Sequence, residues 1–402
     1  MIQRAAYSRL ENISKHFPVV MVCGARQIGK TTLLKSFAEN KEINYVTLDY
    51  PNLRQLAKSD PELFLQQYKT PLIIDEIQYA PELLPFIKIS VDKDNSSGQY
   101  FLTGSQMFYA MKNVSESLAG RVGILSLYSL SYSEIANKKS KPFLNENISF
   151  TEQKRTISEI FEQIYRGGMP KLIVDKELSV EDYFGSYMQT YLERDIRDLI
   201  NIKDENKFLK FIASVAARTS QEVNLSDISK DVGIDSKTVD SWLSILVSSG
   251  IVFLLQPFSG NTIKRIVKRP KLYFMDTGLA CYLSLWNNPR TLELSAMAGA
   301  MFETYVISEI IKSYVNDGID VRSRFCYYRD NNSREIDLLI IQNGKIYPIE
   351  IKKSANPTKE ALKNFSVLKD LNMEIGKGTV LCMTNCILPL DSMNSLVPID
   401  EI

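Results

Sequence analysis

Histidine and cysteine, the residues that most often bind zinc or crosslink a chain, are scarce in this sequence. Its 402 residues include one histidine, His16, and five cysteines. An odd number of scattered cysteines argues against a disulfide framework and favours the reducing cytosol. Cys382 and Cys386 have the spacing of a metal-binding pair, but zinc would lack its usual histidine partners there. We therefore expect the cysteines to be free and buried.

Long apolar runs and an excess of charge of either sign are also lacking. No run approaches the roughly 18 apolar residues that cross a bilayer, and Met1–Lys15 lacks the apolar core of a signal peptide. The net charge is +1, from 48 basic and 47 acidic side chains, so any surface that binds nucleic acid must be local. These absences predict a cytoplasmic protein with no membrane partner. The length predicts two or three domains.

What is present begins with a short apolar strand, Pro18–Cys23, that leads into a glycine-containing loop and a helix-forming stretch. Gly24 and Gly29 allow the backbone to turn and to bring N–H groups against a phosphate. In this pattern Lys30 reaches the β- and γ-phosphates, and the Thr31 hydroxyl binds magnesium. The amino terminus of the helix adds its dipole to the anion site. The residues predicted to bind nucleotide are Gly24, Ala25, Arg26, Gln27, Ile28, Gly29, Lys30, Thr31 and Thr32.

An acidic pair closes a second apolar strand, Pro71–Glu76. Asp75 is predicted to hold magnesium, and Glu76 to orient the attacking water as a base. Ser105 ends a further strand and is a candidate sensor of the γ-phosphate. Arg121 is a candidate γ-phosphate contact, in its own chain or from a neighbouring one, and a surface salt bridge is its alternative. The predicted cofactors are ATP and Mg²⁺, bound where the parallel strands of an α/β sheet end.

The middle of the chain contains a helix–turn–helix–strand pattern that is typical of a winged helix. A short helix, Asp227–Asp231, a turn at Gly233 and a second helix, Lys237–Ser248, precede the strand Ile251–Gln256. The second helix would face DNA, and a basic run lies further along the chain; contact with a protein is the equal alternative. The residues concerned are Ser236, Lys237, Thr238 and Ser241 on the helix, and Lys264, Arg265, Lys268 and Arg269 in the basic run.

Two carboxylates are predicted to meet on a hairpin near the carboxyl terminus. Asn343-Gly344 is a two-residue turn signal, which fixes the register of its two strands. Asp337 then lies opposite Glu350, and Glu335 opposite Lys352, all on one face. Adjacent carboxylates repel unless a cation lies between them, so Asp337, Glu350 and a third acid, Glu303, are candidate metal ligands. Lys352 would polarise a water or a phosphate; the alternative is a surface salt bridge between Glu335 and Lys352.

Taken together, these residues resemble a family of bacterial and archaeal ATPases that join an AAA-type ATPase domain to a C-terminal DUF4143 domain. The resemblance implies a C-terminal fold similar to restriction-endonuclease-like nucleases, with Glu303, Asp337, Glu350 and Lys352 at the acidic and lysine motif positions. The motif opens with Glu335-Ile336-Asp337 where such nucleases often have Pro-Asp. The segments that carry the resemblance are Gly24–Thr31, Leu72–Glu76, Leu102–Ser105, Leu118–Arg121, Gly167–Pro170, Tyr191–Asp195, Lys271–Leu279, Phe302-Glu303 and the hairpin.

The sequence therefore predicts an α/β protein of four parts. A P-loop ATPase domain spans 1–140, a helical linker 141–203, a winged-helix module 204–270 and a restriction-endonuclease-like domain 271–402. The leading hypothesis is a DNA-associated ATPase whose nucleotide state controls a metal-dependent nuclease. The alternatives are an ATP-driven module that binds DNA or protein with a silent nuclease-like domain, and a regulatory nucleotide switch that scaffolds proteins. Oligomerisation is left open.

Overall fold

The computed structural model describes residues 2–104, 118–148, 154–191, 205–259, 269–371 and 373–402. Ser105, Lys264, Arg265 and Lys268, and residues 192–195 of the segment Tyr191–Asp195, lie outside these ranges. Within them, no helix combines the length and apolar character needed to cross a membrane. All five cysteines are free; four are buried as expected, and Cys386 is exposed, which corrects the expectation for that residue.

The amino-terminal part is a five-stranded parallel sheet in the order β2-β3-β4-β1-β5. Every side chain of the apolar central strand β1 is buried, as befits a strand covered on both faces. The strands are β1 Val19–Cys23, β2 Asn44–Thr47, β3 Leu72–Asp75, β4 Tyr100–Gly104 and β5 Val122–Ser126. The helices of this part are α1 Tyr7–His16, α2 Lys30–Ala38, α3 Pro51–Ser59, α4 Pro61–Gln67 and α5 Leu83–Lys93, with a 3₁₀ turn at Ile77–Tyr79.

A largely helical region follows. Its capping residues match the sequence signals: Thr156 forms a capping box with Glu159, and Asp235 accepts hydrogen bonds from the first N–H groups of its helix. The elements are α6 Tyr132–Ile135, α7 Ile157–Arg166, α8 Pro170–Val174, α9 Val180–Tyr191, α10 Glu205–Ala216, α11 Leu225–Val232, α12 Ser236–Ser248, β6 Val252–Leu255 and β7 Lys271–Phe274, with a 3₁₀ turn at Asn145–Asn147. β6 and β7 form a two-stranded antiparallel sheet.

The carboxyl-terminal part is built on a mixed seven-stranded sheet, in which β11 pairs with β10 beside the path β13-β14-β12-β10-β9-β8. Its strands are β8 Phe325–Arg329, β9 Glu335–Gln342, β10 Lys345–Lys352, β11 Glu374–Ile375, β12 Gly378–Cys382, β13 Leu388–Pro389 and β14 Asn394–Pro398. The helices are α13 Thr277–Leu283, α14 Pro289–Glu293 and α15 Ala298–Asn316, with 3₁₀ segments at Lys359–Asp370 and Ile399–Glu401.

The predicted register of the β9–β10 hairpin is confirmed. Gln342 pairs with Lys345 across the turn, and the pairing continues in the same register to Leu338 and Ile349. Asn343 and Gly344 both have positive φ, of 52° and 77°, as a two-residue hairpin turn requires. The next positions along the two strands are Asp337 and Glu350.

One large apolar cluster extends through all three parts of the chain, and smaller ones lie within the two sheet-containing parts. Most side chains of the helix α15 are buried, including polar ones. The backbone N–H of Tyr132 donates to Glu309 Oε2 at 2.6 Å, and Tyr314 Oη donates to the carbonyl of Phe143 at 2.9 Å. The segment after β5 is therefore fixed to the carboxyl-terminal part.

Candidate functional site

The predicted phosphate loop lies at the carboxyl end of β1 and turns into α2. Gly24 has φ of +149°, and a Cβ there would lie 2.2 Å from the carbonyl oxygen of Leu127, so only glycine fits. Lys30 is buried, and its Nζ donates to the carbonyls of Gly24 at 3.0 Å and Ala25 at 2.8 Å. These bonds hold the ammonium inside the loop, close to the backbone N–H groups that would receive a phosphate.

The two predicted magnesium ligands are adjacent: Thr31 lies in the first turn of α2, and Asp75 ends β3. Thr31 Oγ1 lies 3.0 Å from both carboxylate oxygens of Asp75. Two residues that the sequence did not single out also donate to this carboxylate: Tyr45 Oη, at 2.8 Å, and Thr103 Oγ1. Burial, and then the hydrogen bond to Asp75, raises the pKa of Tyr45 above its ordinary value, so Tyr45 stays a hydrogen-bond donor at neutral pH.

The predicted base, Glu76, is held by its neighbours in an unusual backbone conformation. Its φ is +60°, and its N–H donates to Thr103 Oγ1 at 3.1 Å. Gln78 Nε2 donates to Glu76 Oε2, a contact that the sequence did not suggest. A non-glycine residue with positive φ is strained and occurs often at functional sites.

Lys30, Thr31 and Glu76 line a cavity of about 580 Å³, a size that suits a small ligand. Its lining combines the loop with residues of α8 and α9: Arg26, Gln27, Gly29, Lys30, Thr31, Thr32, Glu76, Pro170, Lys171 and Thr190. A second cavity, of about 900 Å³, shares Gly29, Thr32, Pro170 and Lys171 with the first and continues past Ile28 to Ile2 and Tyr7.

The side chain of Arg4 hydrogen-bonds to the phosphate loop, a contact that no sequence motif predicted. Its side chain is 8% exposed, and Nε lies 2.8 Å from Glu134 Oε1. Its Nη1 donates to the carbonyl of Ile28 at 2.7 Å, and its Nη2 to that of Tyr128 at 2.8 Å. One buried guanidinium thus joins the phosphate loop to the segment after β5.

Arg121 does not lie near this cavity. It precedes β5, whose first residue pairs with Val19 at the start of β1, so it occupies the opposite edge of the parallel sheet from Gly24. Its Nε and Nη2 donate to the two carboxylate oxygens of Asp92 at 2.5 and 3.1 Å. Arg121 therefore forms a surface ion pair, which was the alternative interpretation from the sequence, and it lies away from the phosphate loop of its own chain. A contact with the γ-phosphate of a neighbouring chain stays a prediction.

A second polar cluster, called the acidic centre below, joins β7 to the carboxyl-terminal part. It consists of Glu303, Glu335, Asp337 and Glu350 with Lys271 and Lys352. Lys271 Nζ lies 3.2 Å from Glu303 Oε1 and also pairs with Glu335. Tyr273 Oη donates to the same Glu303 oxygen at 2.7 Å. Sequence reasoning missed Lys271 and Tyr273, because nothing in the strand pattern shows what the strand packs against.

The hairpin carboxylates are more deeply buried than a surface pair. Asp337 Oδ2 accepts from the N–H of Ile351 at 2.7 Å, and Glu350 Oε1 accepts from Lys352 Nζ at 2.6 Å. Glu350 Oε2 is buried and has no hydrogen-bond partner. The predicted alternative, an ion pair between Glu335 and Lys352, is not the arrangement found, since Glu335 pairs with Lys271 and Arg329.

Burial and like charge dominate the electrostatics of this centre. Burial first, and then the charges of Glu303 and Glu350, raise the pKa of Asp337 well above its ordinary value. Burial also raises the pKa of Glu350, although Lys352 opposes the change. For Lys271, burial acts to lower the pKa, but the negative charges of Glu303, Asp337 and Glu335 outweigh it and raise the pKa above its ordinary value.

The three-carboxylate metal site expected from the sequence is not formed in this arrangement. Among the residues that the structure describes, no group of three histidine, cysteine, aspartate or glutamate side chains is placed to hold a metal ion. The physical reason is that Glu303 is held by Lys271 and Tyr273. Asp337 and Glu350 alone fit a divalent cation, since the unpartnered Glu350 oxygen is buried beside a second carboxylate.

The predicted DNA-facing helix is present as α12, with its amino terminus capped by Asp235. Thr238 Oγ1 donates to Asp235 Oδ2 at 2.6 Å and so takes part in the cap. Lys237 and Ser241 are exposed as expected, but so is Asp240. The exposed face therefore carries no net positive charge, and the winged-helix and DNA assignments stay predictions.

Three family models match successive parts of this chain. An AAA domain matches residues 16–136, a domain of unknown function, DUF8612, matches 157–290, and a second domain of unknown function, DUF4143, matches 298–402. The phosphate loop lies in the first match. Lys271 lies in the second, whereas the four carboxylates of the acidic centre lie in the third.

The chain is also similar to whole proteins. An uncharacterized protein of Mycobacterium tuberculosis is 26% identical over 404 residues, which cover 100% of this chain and 84% of that one. An uncharacterized protein of Haemophilus influenzae is 21% identical over 285 residues, or 65% of this chain and 68% of that one. Among solved structures, a Walker-type ATPase of Pyrococcus abyssi aligns with a TM-score of 0.47 and 14% identity, covering 71% of this chain and 96% of that one.

Proposed function

Because the chain joins an AAA domain to a DUF4143 domain, we propose that it is a magnesium-dependent ATP hydrolase whose nucleotide state acts on the parts that follow. The observation that carries the proposal is the contact of Thr31 with Asp75, beside a cavity that Thr31 and the buried Lys30 line. A hydroxyl and a carboxylate fit the oxygen preference of magnesium. The proposal therefore rests on a side chain at the start of α2 and one at the end of β3, which only the fold brings together.

Each loop residue has a distinct task in this reaction. Lys30 exchanges its bonds to the loop carbonyls for phosphate oxygens when ATP enters. Thr31 and Asp75 are the residues that would hold magnesium, which neutralises charge on the phosphates when bound. Tyr45 and Thr103 keep the Asp75 carboxylate oriented through their hydrogen bonds.

Glu76 supplies the base. A water oxygen attacks the γ-phosphorus, the bond from that phosphorus to the bridging oxygen of ADP breaks, and a water proton passes to the Glu76 carboxylate. In this structure Gln78 occupies one oxygen of that carboxylate. Glu76 therefore has to release Gln78, or turn its other oxygen towards the water, before the reaction proceeds.

Hydrolysis and binding can be separated with two variants. Lys30→Ala should abolish ATP binding, measured with a fluorescent analogue. Glu76→Gln should retain binding and lose at least about 100-fold in phosphate release. Lys93→Ala changes an exposed lysine of the same domain and should match the wild type. Unchanged ATP affinity in Lys30→Ala would reject the site, and unchanged hydrolysis in Glu76→Gln would reject the assigned base.

Nucleotide bound in the cavity would act on the rest of the chain through two residues that line it. Pro170 and Lys171 line it, and two residues before them the N–H of Gly168 donates to Asp276 Oδ2 at 2.9 Å. Asp276 caps the amino terminus of α13, two residues after β7 ends. Hydrogen exchange at Gly168 should therefore change between the ATP-bound and nucleotide-free protein; identical exchange in both states would argue against this route.

A second candidate function is metal-dependent cleavage of DNA by the carboxyl-terminal part. The unpartnered, buried oxygen of Glu350 beside Asp337 favours it, because that oxygen lacks a cation or a donor. When bound, a divalent metal supplies an activated water or polarises a phosphate. Asp337 and Glu350 would hold it, Glu303 would join them only after release from Lys271, and Lys352 would contact the phosphate.

Cleavage of labelled single- and double-stranded DNA, with magnesium or manganese and with or without ATP, tests this candidate. Activity should be lost in Lys352→Ala and kept in Lys345→Ala, whose exposed lysine pairs with Glu374 on the same sheet. Absence of cleavage in the wild type would reject the candidate. DNA retention that falls steeply with salt would then indicate a DNA-binding module, and no retention at low salt a protein scaffold.

A further inference from the structure

Lys271 is a buried cation that one part of the chain contributes to the acid cluster of another. It is the first residue of β7, and its side chain is 4% exposed. Its partners Glu303 and Glu335 belong to the carboxyl-terminal part, on α15 and β9. A buried ammonium is costly unless it is paired, so this contact fixes β7 against the acidic centre.

The acids of the centre outnumber its cations even with Lys271 in place. Four carboxylates face two ammonium groups, and Lys352 is engaged with Glu350. Arg329 reaches Glu335 only from the rim, at 3.6 Å with a half-exposed side chain. Removal of Lys271 would therefore leave buried acids whose mutual repulsion calls for another cation.

We propose that Lys271 is the exchangeable internal cation of the acidic centre, and that Glu303 joins Asp337 and Glu350 in holding a divalent metal only when Lys271 withdraws. The inference rests on the second candidate function for its use in catalysis, but not for metal binding itself. Three observations carry it: Lys271 holds Glu303, Glu350 is more than nine-tenths buried, and one of its oxygens has no partner.

Lys271 and Tyr273 hold Glu303 from the same strand, β7. Lys271 and Tyr273 are two residues apart on one strand, so both point to the same side, and both contact Glu303 Oε1. β7 belongs to a two-stranded sheet with β6 and not to the large sheet that carries the hairpin. A displacement of β7 therefore frees Glu303 from both contacts and leaves the hairpin register intact.

Binding of manganese to the full-length, nucleotide-free chain tests the proposal without any need for catalysis. Lys271→Met should gain one site per chain with about tenfold or greater affinity over the wild type, measured by electron paramagnetic resonance and calorimetry. Lys271→Arg should match the wild type, because it keeps the charge. Lys271→Met combined with Glu350→Gln should lose the gained site. Equal manganese binding by the wild type and Lys271→Met would overturn the proposal.

A milder variant serves if Lys271→Met does not fold. Tyr273→Phe loosens Glu303 while Lys271 stays, so manganese affinity should rise by about threefold; unchanged or weaker binding would overturn the proposal. Lys345→Met is the matched control, since its ion pair with Glu374 is exposed on the same sheet. A manganese site gained without DNA cleavage would keep the role of Lys271 and reject the nuclease. DNA cleavage by the wild type, with no gain in manganese affinity in Lys271→Met, would keep the nuclease and reject the role of Lys271.

Discussion

The ion pair beneath the phosphate loop offers the sharpest test of the architecture. The perturbation is Arg4→Met, which keeps most of the side-chain length and removes the charge and all donors. Arg4 contacts Glu134 at 2.8 Å, with side chains 8% and 1% exposed. Its other nitrogens bind the carbonyls of Ile28 and Tyr128. Both ends of the contact are therefore shielded from water, where electrostatic effects are large.

The expected cost follows from what remains after the substitution. Glu134 keeps two backbone donors, the N–H groups of Ala5 and Ser131, both at 2.8 Å. Its carboxylate is thus hydrogen-bonded but no longer neutralised. Breaking a buried ion pair costs about 3 to 5 kcal/mol of unfolding free energy. We expect a loss of about 3 kcal/mol here, because Glu134 keeps its two backbone donors. The two orphaned carbonyls add about 1 kcal/mol or more.

Urea unfolding followed near the nucleotide site gives the measurement, with Glu134→Gln completing a double-mutant cycle. The double variant should be less destabilised than Arg4→Met alone, because no unpaired carboxylate remains. Affinity for ATP should fall with Arg4→Met, since Ile28 belongs to the loop. Arg322→Met, in the exposed pair with Asp320, should cost no more than about 1 kcal/mol. A loss below about 1 kcal/mol in Arg4→Met would refute the reasoning.

Three further outcomes are expected. Tyr45→Phe removes a donor to Asp75 and should raise the KM for magnesium-ATP by about fivefold, as for one hydrogen bond, in a steady-state assay. Gly168→Ala places a Cβ 2.2 Å from the carbonyl oxygen of Leu130 and should cost about 2 kcal/mol or more of unfolding free energy, measured in urea. Because the folded-state pKa of Asp337 is raised, stability should fall as pH rises from the ordinary carboxyl pKa to the raised one, and Asp337→Asn should lessen that fall in urea midpoints at pH 5 and 8.

Each of these has its own comparison. Tyr79→Phe alters a partly buried tyrosine of the same domain whose ring lies against Arg54. An equal rise in KM in that variant would show that the Tyr45 result does not depend on the bond to Asp75. Gly299→Ala meets no atom within 4 Å and should be neutral, so equal losses at both glycines would contradict the packing argument. A wild type whose stability rises with pH across the window would contradict the sign given for Asp337.

The parts of the site that the sequence predicted are those set by local backbone geometry. The loop from Gly24 to Thr31 is one continuous motif, and the hairpin register follows from the two residues Asn343 and Gly344. Both patterns determine structure over a few residues, without knowledge of what packs against them. The position of Asp337 next to Glu350 is a direct consequence of that register.

The parts that the sequence did not reveal depend on tertiary contacts. Arg4 and Tyr45 reach the nucleotide site from elements without a recognisable motif. Lys271 lies in the part of the chain that matches a different family model from the rest of the acidic centre. It binds Glu303, which the sequence predicted to be a metal ligand. Arg121 precedes β5, and only the parallel pairing of β5 with β1 shows that it lies at the opposite end of these strands from the phosphate loop.

The burial of α15 bears on how this protein can be divided. A family boundary falls at its first residue, 298, which would suggest that the carboxyl-terminal part is a separable unit. Yet Glu309 and Lys312, both buried, bind the backbone at Tyr132 and Leu130. A chain cut at 298 would leave these charges and an apolar helix face exposed to water, which favours aggregation. Exchange of the carboxyl-terminal part between relatives should therefore succeed only when the segment after β5 is exchanged with it.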